Sequence, residues 1–132
     1  MIHSQDINLP SVVAEVRAEF ERYERALVGN DIAVLDELFW DSEKVVRYGS
    51  SGENLYGMAA IRDFRAGRSP AGLARTLANT VITTFGQDLA TANTEYCRTH
   101  DAAWGRQSQT WVRFSVGWRI ASAHVSLMPM KA

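Results

Sequence analysis

The chain predicts an α+β fold: three N-terminal helices packed on one face of a strongly curved antiparallel sheet, the whole making a cone with an internal pocket. Two patterns predict it. Through the first half of the chain, apolar residues recur at three- and four-residue spacing, the period of amphipathic helices. From Leu73 onward the sequence changes to long runs rich in threonine, branched and aromatic residues, divided by short breaks, as successive strands are. Helices followed by a strand meander place the helices over one sheet face.

The first helix lies in "LPSVVAEVRAEFERYERALVGND", where Val13, Val16, Phe20, Tyr23 and Leu27 make one apolar face. Ser11 beside Pro10 suits its start and Gly29-Asn30 its stop; Glu15, Arg22 and Arg25 lie opposite. "DIAVLDELFW" predicts a short second helix with Leu35, Leu38 and Phe39 inward. A strand follows around Arg47, since Val45, Val46 and Tyr48 favour a pleated surface, and then a turn at "GSSGEN". "MAAIRDFRAGR" reads as a third helix with Ile61 and Phe64 inward, ended by "RSPAG". The strands are "RTLANTVITTFG", a turn at "QD", "LATANTEYCRT", a break near "HDAAWG", "RQSQTWVRF", a turn at "SVG", and "WRIASAHVSLM".

Composition narrows the function classes. The 132 residues fit one domain, 1–132, with 46% hydrophobic and 22% charged residues and a net charge of −1. That balance offers no bulk field for nucleic acid or an anionic membrane. The basic residues are nearly all arginine, only Lys44 and Lys131 being lysine; arginine is the better fork for a carboxylate, which leans towards a small anionic substrate. Cys97 is the only cysteine, so a disulfide framework or cysteine-based zinc site is not expected. No apolar run reaches a membrane span, and "MIHSQDINLP" lacks the features of a signal peptide, so the expectation is a cytoplasmic protein. Glycine-rich phosphate loops and G-x-S-x-G elbows do not occur.

Five groups of residues could carry chemistry. Tyr23 falls on the buried helix face, where its hydroxyl needs a partner: a backbone carbonyl if it is a core tyrosine, a ligand if it borders a pocket. Strand alternation puts Arg47 on the face of Val45, away from Val46 and Tyr48. If that face is solvent, Arg47 decorates it; if it is the interior, the charge must be paired, and a bound anion is the natural partner. Gln107 and Gln109 alternate with Ser108 and Thr110, so both faces of their strand are polar, as are Asn93 and Glu95 on one face of the strand before. A polar ligand or an exposed sheet face accounts for either. His124 shares a face, by simple alternation, with Ile120, Ser122 and Ser126, and is a structural residue or a pocket contact. No second histidine stands near enough to suggest a metal site. Arg62, Arg65 and Arg68 drift round one side of the third helix; such arginines are usually solvated, but one at the helix end can reach a pocket mouth, and Arg65 joins the substrate-binding candidates.

A long first helix with an inward tyrosine, a short second helix and a meander ending in "GWRIASAHVSLM" resembles the NTF2-like superfamily. The closer resemblance is to the AtzH-like family, carried by "VVAEVRAEFERYERALVGNDIAVLDELFW", "VRYGSSGENLYG", "GRQSQTWVR" and "GWRIASAHVSLM", from about residue 9 to residue 128. The resemblance implies a cofactor-independent decarboxylating amidohydrolase that converts 1,3-dicarboxyurea to allophanate in bacterial cyanuric acid breakdown, with neither metal nor organic cofactor. It also implies catalytic roles for Tyr23, within "ERYERAL", and Arg47, within "VRYG". His124, Gln107, Gln109 and Arg65 remain lesser candidates for substrate contacts. The competing readings are a binding or association module using the same cone without turnover, and an isomerase or cyclase for an apolar polycyclic substrate, against which Arg47 and the polar strands argue. By analogy with other cone folds a homodimer or larger homo-oligomer is expected, with Trp104, Trp111 and Trp118 as core or interface residues.

Overall fold

The structure, a computed structural model, describes residues 1–129; Lys131 and the rest of the tail lie outside the described residues. Helix α1 (Pro10–Val28) carries proline in its first turn, where the missing N–H leaves no bond unmade. Its buried face is Val12, Val16, Phe20, Tyr23, Ala26 and Leu27. Val13, expected inside, is only half-buried, because Val12 is the residue in phase with Val16 and Phe20 on a 3.6-residue period. Helix α2 (Ile32–Leu38) is capped by the Asp31 carboxylate, which accepts from the Val34 N–H, and buries Leu35 and Leu38. Phe39 follows in extended backbone and is also buried.

The next segment corrects the expected order. "GSSGEN" is not only a turn: it leads into a second short strand, so that β1 (Val46–Tyr48) and β2 (Asn54–Tyr56) form an antiparallel hairpin. Helix α3 (Met58–Gly67) therefore comes after two strands. The four long strands are β3 (Arg75–Phe85), β4 (Leu89–Arg98), β5 (Trp104–Phe114) and β6 (Gly117–Leu127), an antiparallel meander as expected. Yet the sheet is mixed, since β1 lies beside β6 in parallel, Arg47 opposite Ala123, giving the order β2-β1-β6-β5-β4-β3.

Two bulges bend this sheet. Between Ala78 and Val81 the β3 strand holds one residue more than β4 opposite it. Between Ser122 and Ile120 the β6 strand holds one more than β5, at Ala121. An extra residue on one strand kinks it and strengthens the local twist. It also reverses the alternation of every residue beyond it.

The concave face and the helices enclose an apolar core at one end: Val12, Val16, Leu35, Leu38, Phe39, Trp111 and Ile120 are all nearly or wholly buried. Trp111 and Trp118 belong to this core, whereas Trp104 is exposed. Towards the C-terminal ends of α1 and α3 the packing opens into a cavity. Among the described residues no helix is long and apolar enough to cross a membrane.

Candidate active site

The cavity has a volume of about 390 Å³. Tyr23 and Leu27 enter it from α1, Phe64 and Arg68 from the end of α3, Arg47 from β1. The sheet contributes Arg75, Tyr96, Gln107 and Val125. Residues 50–53, 69–73 and 98–100 supply the rest of the lining.

Tyr23 is in place because the helical period that buries Phe20 and Leu27 turns it inward as well. It is 3% exposed and tilts against Phe39 at 6.2 Å between ring centroids. It belongs to the buried core cluster and lines the cavity as well. Arg47 shares the inner face with Val45 as alternation requires, and is 9% exposed. Its guanidinium carbon lies 5.0 Å from the Phe64 ring centroid. Its Nη1 is buried without a hydrogen-bond partner; the Glu53 carboxylate stands at 3.9 Å, close enough for attraction and too far for a hydrogen bond. Burial pushes the Arg47 pKa down, the nearby phenol of Tyr23 works against that, and Arg65 adds to it. Arginine nevertheless keeps its charge in proteins, so this is a cation held where it lacks a full counter-charge.

Gln107 lies on the inner face of β5, 2% exposed. Its Oε1 accepts from Arg75 Nη2 at 2.9 Å. Arg75 in turn makes a two-pronged pair with Glu24, at 2.8 and 2.7 Å, and its guanidinium sits 4.6 Å over the Tyr96 ring. Burial works to lower the Arg75 pKa, but the hydrogen bonds and charge of Glu24 outweigh it and the net direction is up. Tyr96 lies across β5 where Gly105 has no side chain: a Cβ there would stand 2.1 Å from the ring's Cζ. The Tyr96 hydroxyl donates to the Ser126 carbonyl, and burial raises its pKa.

The other expected contacts fall elsewhere. His124 is exposed on the convex face, beside Tyr48 in an edge-on arrangement. The Ala121 bulge shifts the alternation, so Ile120, Ala123 and Val125 turn inward and His124 outward. Arg65 does not line the cavity; it packs 4.4 Å over Phe39 and donates to Asp36 at 2.7 Å. Gln109 is buried one layer below the cavity, where its Oε1 accepts from Trp111 Nε1. Asn93 and Glu95 face outward, bonded to Ser108 and Asn79.

Two participants, Arg75 and Glu24, escaped the sequence reading, and a third, Arg68, was named there but passed over for Arg65. Arg68, at the α3 C-cap, reaches the cavity mouth, rather than Arg65. Arg75 and Glu24 make the buried pair that holds Gln107. Glu24 is adjacent in sequence to the inward Tyr23, which is a usable signal for a residue at the edge of a site; Arg75 opens a strand and carries none. Among the described residues no group of three or more histidine, cysteine, aspartate or glutamate side chains could hold a metal ion.

Three helices on a curved six-stranded sheet, with a polar cavity at the C-terminal ends of α1 and α3, define the NTF2-like, cystatin-like class. An NTF2-like superfamily protein from Salmonella enterica serovar Typhimurium shares that fold, with 23% identity, a TM-score of 0.72, and coverage of 92% of this chain and 94% of that one. Within the class, the AtzH-like family model matches residues 5–131, and the chain belongs to that family. A protein of unknown function from the DUF3225 family of Pectobacterium atrosepticum is 59% identical, with a TM-score of 0.95 over 98% of this chain and 100% of that chain. A cystatin-like fold protein from Burkholderia xenovorans is 47% identical, with a TM-score of 0.89 over 95% and 98%. None of the curated proteins matches.

Proposed function

We propose that the protein is a decarboxylating amidohydrolase that converts 1,3-dicarboxyurea to allophanate. The observation that carries this reading is the pairing, in one cavity, of the inward Tyr23 and a buried arginine, Arg47, with an unpartnered Nη1. Membership of the AtzH-like family supports it. In this reading Arg47 grips the scissile carboxylate and aligns the N–carboxylate bond. The C–N bond breaks with its electron pair left on the urea nitrogen. Tyr23 delivers a proton to that nitrogen and regains one from solvent. The carbon leaves as carbon dioxide, or as bicarbonate when a water adds to it. Positioning and charge stabilisation supply most of the rate in such a site.

The test is allophanate formation, followed by NMR, from 1,3-dicarboxyurea generated in situ. Wild type is expected to exceed the enzyme-free control, while Tyr23→Phe and Arg47→Ala lose on the order of 10²-fold or more, as removal of a charge-stabilising donor typically does. Wild-type conversion no faster than the control would reject the reaction. A Tyr23→Phe variant that turns over fully would reject the proton transfer from Tyr23 and leave the reaction to Arg47 and solvent.

A further inference from the structure

The buried polar atoms around the cavity have one chemical character. Among the described residues, the cavity-lining side chains with buried, unpartnered polar atoms are Arg47, Arg68 and Gln107, and every such atom is an N–H donor: Nη1 of Arg47, Nε and Nη2 of Arg68, Nε2 of Gln107. The Gln107 amide cannot turn round to offer an acceptor. Arg75 is donor-only and holds the Gln107 oxygen at 2.9 Å, so the amide nitrogen must face away from it. Arg75 itself is pinned by Glu24.

Charge points the same way. Of the four arginines that line the cavity, Arg75 has Glu24 and Arg98 has Asp101 as a hydrogen-bonded counter-charge. Among the described residues Arg47 and Arg68 have none at hydrogen-bond distance, and Glu53 is the only carboxylate in the lining. Both guanidiniums lie against the same Phe64 ring, at 5.0 and 5.9 Å from its centroid. They are therefore no further apart than those two distances laid end to end, a span that a small molecule bridges. Burial, and next the charge of Arg47, push the Arg68 pKa down, as expected of two cations facing one space without an anion between them.

We propose that Arg68 anchors a second carboxylate, the one retained in the product, and that Gln107 Nε2 donates to the carbonyl between the two, so that the site selects dianions with a central carbonyl. This rests on the reading above, in which Arg47 takes the scissile carboxylate. The same donor set accepts any molecule of that shape, whether or not it reacts.

The test uses carbon analogues that lack the scissile C–N bond, with affinities read by calorimetry. 3-Oxoglutarate has both carboxylates and the carbonyl, acetoacetate lacks one carboxylate, and glutarate lacks the carbonyl. Wild type is expected to bind 3-oxoglutarate at least about tenfold more tightly than acetoacetate, the range for a hydrogen bond to a charged group. Arg68→Gln should abolish that preference by weakening 3-oxoglutarate far more than acetoacetate, and Arg68→Lys, which keeps the charge without the fork, should retain part of it. Gln107→Leu should remove the preference for 3-oxoglutarate over glutarate. The proposal is overturned if wild type shows no dianion preference, or if Arg68→Gln and Arg68→Lys both keep it or weaken both ligands alike. A dianion preference in a protein that does not turn over dicarboxyurea would reject the reaction and keep this inference; turnover with an unchanged KM in Arg68→Gln would do the reverse.

Discussion

The two ends of the cone use the same strands to opposite effect. On the inner face of β5, Gln109 at the closed end accepts from Trp111 Nε1 at 3.0 Å, while its own Nε2 is buried without a partner in the packed core. Two residues along, Gln107 presents a buried amide with an open donor to the cavity. Helix α3 repeats the contrast: Arg65 has a carboxylate at 2.7 Å and an aromatic face beneath it, while Arg68 has the aromatic face and no carboxylate. Unpaired donors occur at both ends, Arg65 Nη2 and Gln109 Nε2 at the closed one, but among the described residues only those of Arg47, Arg68 and Gln107 belong to residues that line the cavity. The cavity end holds donors that each cost about 1–3 kcal/mol while unpaired, a cost that an acceptor-rich ligand offsets. Stability and binding are thus separated by about one turn of helix and one pleat of strand.

The contrast would break if substitutions at the two ends had similar effects on stability. The largest loss is expected from Trp111→Ala, which empties the closed end and takes the donor from Gln109: about 3–5 kcal/mol, as for large aromatic core truncations, read from the urea midpoint. Asp36→Ala comes next. It strips the ion pair from Arg65, and since Asp36 keeps some exposure, the loss should be about 2–3 kcal/mol, at or just below that of breaking a buried pair. In the same urea series Arg68→Gln should stay within about 1 kcal/mol of wild type, because it removes buried donors that had no partner. A comparable loss in both variants would mean that Arg68 is a structural residue after all.

The boundary between the ends is sharpened by Gly105→Ala. The new Cβ would fall on the Tyr96 ring, and the ring is tied at its far end to Ser126 and lies under Arg75. Overpacking of this kind costs about 1–3 kcal/mol. Because Tyr96 is also cavity wall, ligand affinity should fall in the same variant. Unchanged affinity at reduced stability would place Tyr96 with the core instead.

How much of this was legible in sequence depended on whether a local period survived to the site. Tyr23 could be placed because α1 is long and regular, so the phase of Phe20 and Leu27 carries over to it. Arg47 could be put on the face of Val45 because no bulge separates it from that neighbour, whereas Gln107 could not be assigned a face because its strand is polar on both. The β2 strand was missed because three residues, two of them exposed, make no pattern. The parallel pairing of β1 with β6 joins segments about 75 residues apart, a register that no local signal specifies. Arg65 and Arg68 were exchanged because three residues turn a helix about 300°, and only the docked helix shows which of the two enters the cavity and which the core.

His124 is the sharpest example and the smallest expected effect. Counting by twos from Ile120 puts it inward; one extra residue at Ala121 puts it outward, beside Tyr48 and across from Ser108. Its replacement by alanine removes one edge-on aromatic contact on an exposed surface, so stability should change by no more than about 0.5 kcal/mol. Turnover of dicarboxyurea and affinity for 3-oxoglutarate should be those of wild type. The neighbouring substitution Val125→Asp supplies the opposite arm, since Val125 lines the cavity and a carboxylate there would compete for the free guanidiniums. If His124→Ala lost affinity and Val125→Asp did not, the bulge would be misplaced and the inner face of β6 would have to be read one residue over.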